Sequence, residues 1–191
     1  MTEPGTAHLI RQAEAFALPF YAKAHRAYHN AAHVRAVLDA LASRGVLTLP
    51  LALAAWGHDL IYDPRAGDNE VQSAAVFGAW LEEQQGDAAL IREVGRLILA
   101  TRHTSPPATR AEALLVDADL GILGSDPDTF AAYDAAIRQE YAFVPEAEYR
   151  LGRARVLRGF LERDRIYTAP EFAGLEAQAR ENLRAALFRL E

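Results

Sequence analysis

The chain has 191 residues, 51% of them apolar, and a formal net charge of −6. It is long enough to bury a full hydrophobic core, and it lacks the clustered positive field that a DNA or RNA duplex or an anionic membrane surface selects. It has no cysteine, which excludes a disulfide framework, thiolate catalysis and a cysteine-based zinc site, so any metal must be held by His and carboxylate alone.

Apolar residues recur at helical spacing almost throughout, and Ala and Leu, the best helix formers, are abundant. The pattern predicts helices at 6–17, 30–44, 50–58, 69–84, 87–102, 111–123, 127–142, 146–163 and 170–189. Breakers separate them: Pro19, Gly45, Pro64 with Gly67, Gly86, Pro106-Pro107, Gly124, Pro145 and the stretch Thr168 to Pro170. Pro50 suits a first helical turn, where its missing N–H costs nothing. Asp68 and Asp126 are placed to cap the helices that follow them. Thr104 to Thr109, Pro-rich and polar, reads as a surface loop. Trp56, Trp80, Phe130, Tyr133 and Phe143 read as core, and Glu176 to Glu191 as an amphipathic packing helix. No segment alternates with period two, and no repeat or long linker divides the chain. The expectation is one all-α helical bundle over residues 1–191. Met1 to Thr6 shows no secretory signal pattern and no apolar run is long enough to span a bilayer, so a cytoplasmic location is expected.

Three short stretches concentrate the chemistry: Tyr28-His29-Asn30-Ala31-Ala32-His33, His58-Asp59 and Asp117-Ala118-Asp119-Leu120. If a helix begins near Tyr28, His29 and His33 share one face about one turn apart. His58-Asp59 closes the apolar run Leu51 to Trp56, where a buried imidazole and carboxylate need partners. One divalent ion would serve several of these groups at once. Asp117 has the ordinary alternative of an arginine partner, and His8 and His25 read as solvated or hydrogen-bonded histidines.

The order His, His-Asp, Asp resembles the HD-domain superfamily of helical metal-dependent phosphohydrolases. Tyr28-His29-Asn30-x-x-His33 and Ala118-Asp119-Leu120 also look like segments of cyclic-nucleotide phosphodiesterases. Longer matches resemble a bacterial branch of predicted metal-dependent HD phosphohydrolases: Trp56-x-His58-Asp59-x-x-Tyr62-Asp63, Asp68-Asn69-Glu70-x-x-Ser73, Asp117-Ala118-Asp119-Leu120-x-Ile122-Leu123-Gly124 and Arg138-x-Glu140-Tyr141. They span about residues 26 to 160. The resemblance implies an HD-type bundle with His33, His58, Asp59 and Asp119 as metal ligands. It also implies that His29 is the general acid, Asp59 acts at the reacting centre, and Asp117 orients a ligand from behind. Dinuclear branches with six protein ligands place two further histidines before the last Asp; here only His103 lies in that interval. One ion is expected, or a second held mainly by Asp59 and water. Imidazole ligands favour Mn, Fe, Co, Ni or Zn over Mg.

Such a site would hydrolyse a small phosphate ester or anhydride, with a nucleotide the expected substrate. The alternative is a sensor that binds a nucleotide without turnover. A purely structural metal staple leaves His29 without a purpose. Asn30, Glu70, Arg102, His103, Arg138 and Arg153 are the candidate substrate contacts. Arg102 and His103 have the ordinary alternative of helix C-terminal cations, and Glu70 that of an ion pair with arginine. Arg138, Tyr141, Arg150 and Arg153 would form a basic wall unless they pair with acids. A homodimer is left open.

Overall fold

The computed structural model describes residues 4–190, all of whose regular structure is helical. Met1 to Glu3 and Glu191 lie outside the described residues, and with them half of the Met1–Thr6 segment and the last residue of the tail. Nine α-helices follow in order: α1 (Pro4–Tyr21), α2 (Ala31–Ser43), α3 (Leu49–Gly57), α4 (Asn69–Glu83), α5 (Ala88–Ala100), α6 (Arg110–Asp119), α7 (Pro127–Glu140), α8 (Glu146–Leu161) and α9 (Glu176–Leu190). Two 3₁₀ turns, Leu120–Gly124 and Pro170–Leu175, punctuate the second half. No helix among the described residues is long and apolar enough to cross a membrane.

α3 is the axis of the fold. It is apolar all round, and every residue from Leu51 to Gly57 is buried, as expected for a helix enclosed on all sides. α1, α2, α5 and α6 pack around it. Its last residue must be small: a Cβ on Gly57 would lie 2.7 Å from Ile98 Cδ1 and 2.9 Å from Phe77 Cγ. That closeness fixes where the chain leaves α3, and therefore where His58 begins. A contiguous core of buried side chains draws on all nine helices, with Trp56, Trp80 and Phe130 inside it. Phe16 stacks on Trp80 at 5.1 Å between ring centroids.

Several expectations are corrected. Pro19 does not end α1, which runs on to Tyr21; in the last turn a proline forfeits only one intrahelical bond. α2 begins at Ala31, not near Tyr28, because Asn30 is extended and its side-chain oxygen accepts from Ala32 N. Asp68 makes no side-chain cap; its Oδ1 accepts from Gln72 Nε2 instead. The expected helix 111–123 is an α-helix only to Asp119 and tightens to 3₁₀ geometry beyond it. Phe143 is 43% exposed, with the Arg65 guanidinium 3.9 Å from its ring centroid. Asp126 caps α7 through Thr129 N as expected. At α6 the Thr109 cap is reinforced in the manner of a capping box: Thr109 Oγ1 accepts from Glu112 N, and Glu112 accepts from Ala108 N, one residue before the cap.

Candidate metal centre

Helix ends deliver the polar atoms into an apolar interior. His33 stands in the first turn of α2, His58 caps the C-terminus of α3, Asp59 follows it, and Asp119 is the last residue of α6. His33 Nε2 lies 3.2 Å from His58 Nε2 and 3.0 Å from Asp119 Oδ1, and His58 Nε2 is 3.5 Å from the same oxygen. These three residues form a group that could hold a metal ion. Asp59 Oδ2 flanks it, 3.1 Å from His58 Nε2 and 3.7 Å from His33 Nε2.

The donor chemistry fits a divalent cation. His58 Nδ1 is 2.8 Å from the Ala55 carbonyl. A carbonyl only accepts, so Nδ1 carries a proton, and in the neutral ring that a metal requires Nε2 is the lone pair facing the cluster. Ligand atoms about 2.0–2.1 Å from one ion lie roughly 3.0–3.4 Å from each other, close to the spacings seen here. The charges agree. Burial disfavours the charged form of His58, yet Asp59 and Asp119 raise its pKa well above the usual value. Asp119, despite its burial, is held well below the usual carboxylate range by His103, His33 and His58. Asp59 is likewise lowered, chiefly by His58. The cluster favours positive charge, which a divalent cation could supply.

A second unit adjoins the first. His29, just outside α2, places Nδ1 2.6 Å from Glu140 Oε2 at the end of α7. Glu140 also accepts from Tyr28 N, His29 N and the Tyr62 hydroxyl, at 2.7, 2.9 and 2.7 Å. Tyr62 stacks on the His29 ring at 4.3 Å. Burial pushes the His29 pKa down, but the Glu140 hydrogen bond and the charges of Asp59, Glu140 and Asp119 outweigh it and raise it. Glu140, though desolvated, is lowered to about 2 by His29. The His29 and His33 ring centroids are 6.0 Å apart. Arg26 ties both units to the frame, donating to the His29, Asp59 and Leu60 carbonyls at 3.0, 2.6 and 2.9 Å.

Two clefts meet at this centre, sharing Tyr28, Asp119, Ile122 and Tyr133. One, about 660 Å³, is also lined by His29, Arg102, His103 and Arg153. The other, about 560 Å³, is lined by His33 and Asn30 and runs toward Arg44.

The remaining candidates divide. His103, in a left-handed conformation with φ 55°, places Nε2 3.0 Å from Asp119 Oδ2, so it touches a candidate ligand as well as lining a cleft. Arg102 lines that cleft, its Nε 4.0 Å from Glu70 Oε2; Glu70 is thus the partner of an arginine. Asn30 is engaged as a cap and donates to Ala27 O. Arg153 lines the cleft while bound to Asp134 Oδ1. Arg138 is spent on the α7–α8 corner, donating to the Tyr141 and Val144 carbonyls and to Glu146, and Arg150 is bound to Leu190 O. The expected basic wall therefore does not form. Asp117 does not orient a ligand: its Oδ2 accepts from Thr168 N and Ala169 N at 2.8 and 2.6 Å, and burial pushes its carboxyl up to about 6. Sequence reasoning gave Arg26 no role and left Glu140 without one; the only trace of the latter was its place in the Arg138-x-Glu140-Tyr141 segment.

Comparison of the chain with protein-family models, with curated proteins and with solved structures finds no significant match. The functional reading rests on the site's own residues.

Proposed function

We propose that the chain is a metal-dependent phosphohydrolase of the HD type, acting on a phosphate ester of a small molecule. The observation that carries this is the juxtaposition of two units, the His33–His58–Asp119 donor group and the His29–Glu140 pair, which meet at the larger cleft through Asp119 and His29. Asp59, flanking the donors, completes the ligand set that the resemblance implies. Bound there, a divalent ion such as Mn, Fe, Co, Ni or Zn would polarise a phosphoryl oxygen and acidify water.

The chain's own groups divide the rest of the work. His33, His58 and Asp119 would hold that ion and so set where the reacting phosphoryl group lies. Asp59 accepts a hydrogen bond from the attacking water. The water oxygen forms the new bond to phosphorus while a water proton passes to solvent. The ester P–O bond breaks, and its electron pair leaves with the alcohol oxygen. Glu140 keeps His29 protonated through Nδ1, which turns Nε2–H toward the cleft as the general acid for that oxygen. The alcohol departs, and His29 regains a proton from solvent.

Hydrolysis of p-nitrophenyl phosphate and bis-p-nitrophenyl phosphate across Mn, Co, Ni, Mg and Zn tests the reading. Ion-dependent release of product, abolished by chelator and restored by the ion, is expected. Absence of turnover on both esters with every ion overturns it.

A further inference from the structure

The two clefts are not equivalent. Asp119 lines both, but His29 lines only the larger one. The group that departs is the one whose oxygen takes the His29 proton, so it must occupy the cleft on the His29 side. That cleft has an apolar and aromatic wall: Ile137, Tyr141, Val144, Tyr149, Val156 and Phe160. Among the described residues that line it there is no Ser, Thr, Asn, Gln or Lys. A ribose or a base edge is read by donors and acceptors at fixed places; here these are tyrosine hydroxyls, His103, Glu148 and two arginines, of which Arg153 is bound to Asp134 and Arg102 faces Glu70.

Charge points the same way. A polyphosphate needs several uncommitted cations. Arg153 gives Nε and Nη2 to Asp134 Oδ1 at 3.0 and 2.8 Å, and Arg102 sits beside Glu70. Glu148 adds negative charge to the wall. One phosphoryl group, held at the metal donors in the cleft that Arg102 also lines, is as much anion as this lining tolerates.

We infer that the substrate is a phosphate monoester of an apolar or aromatic alcohol, in place of the nucleotide that the resemblance suggests. This inference rests on the phosphohydrolase reading. The tyrosine rings suit it, since they stack on a flat apolar group at little entropic cost.

The test compares kcat/KM for phenyl phosphate, 1-naphthyl phosphate, AMP and ATP with one activating ion, alongside calorimetric binding of phenylphosphonate and 1-naphthylphosphonate, whose P–C bond does not hydrolyse. Burial of the second ring should favour the naphthyl ester by roughly tenfold over the phenyl ester and by more over AMP and ATP, with the phosphonates ranked alike. Gly152 lines this cleft, and a Cβ there meets nothing within 4 Å. Gly152→Leu keeps the helix, which favours Leu over Gly, and narrows the cleft. It should lower the naphthyl-to-phenyl ratio about tenfold in both turnover and phosphonate binding. Faster hydrolysis of AMP or ATP overturns the inference and leaves the phosphohydrolase reading standing. Ring-dependent phosphonate binding with no ester turned over sustains the apolar cleft and overturns the hydrolase. Neither turnover nor phosphonate binding overturns both.

Discussion

The metal pole and the acid pole of the site are built in opposite ways. At the metal pole, His33, His58 and Asp119 come from three helix ends, and two imidazole Nε2 atoms face each other across 3.2 Å. At the acid pole, Glu140 answers His29 and takes four hydrogen bonds, from Tyr28 N, His29 N, His29 Nδ1 and the Tyr62 hydroxyl. The first unit could have its charges balanced by a cation from outside; the second balances its own. Reactive groups that need an ion and groups that need each other can thus share one cleft without competing for it.

The comparison breaks most sharply at the metal pole. His58→Ala removes an imidazole whose burial and tautomer are both set for ligation, and turnover should fall by roughly a thousandfold or more, together with metal content. His29→Ala should leave metal content unchanged. Its kcat on phenyl phosphate should fall about 10²–10⁴-fold, and much less on p-nitrophenyl phosphate, whose leaving group needs little protonation. If metal content fell as well, the two poles would not be separable.

Glu140→Gln is milder and has a definite sign. In the proposed mechanism His29 acts protonated, and its pKa is raised by Glu140, so activity should hold below that raised value and decline as pH rises through it. Glu140→Gln should move the declining limb to lower pH and cost about 10–100-fold in rate, the usual toll of losing a group that orients a catalytic imidazole. Folding linkage runs in parallel. The raised His29 contributes stability that is present below 6.5 and lost as pH rises through its folded value; Glu140 contributes stability present above 4.5 and lost as pH falls toward about 2. The pH dependence of unfolding in the variant should flatten at both ends.

The smallest effect separates two acids that are neighbours in sequence. Asp117→Ala leaves the Thr168 and Ala169 N–H groups without their acceptor and should cost about 1–3 kcal/mol of stability with metal content intact. Asp119→Ala should lose the metal. Melting and metal analysis of the two variants side by side distinguish an anchor from a ligand.

The clustering of His33, His58 and Asp119 was legible because these residues announce themselves locally. His58-Asp59 ends a run too apolar to be anything but buried, and Asp119 sits within another. The helical architecture was legible for the same reason, period by period. The acid pole was half legible: His29 stood out, but its partner lies 111 residues away, and no local pattern connects α7 to the segment before α2. Arginines were the poorest guides. Arg138 and Arg150 looked like a ligand-facing wall, yet their guanidinium groups are taken up by backbone carbonyls at a corner and a helix end, while Arg26, which gave no signal, ties His29 and Asp59 together. A long cation finds its partners through the fold, so spacing alone does not reveal where it goes.

The most direct measurement is the metal content of the purified, reloaded protein, compared with His58→Ala of matching helical circular dichroism. One tightly held divalent ion per chain, lost in the variant, is the predicted result. A wild-type protein that takes up no ion, or a variant that holds it as tightly, would contradict the assignment of His33, His58 and Asp119 as a metal centre.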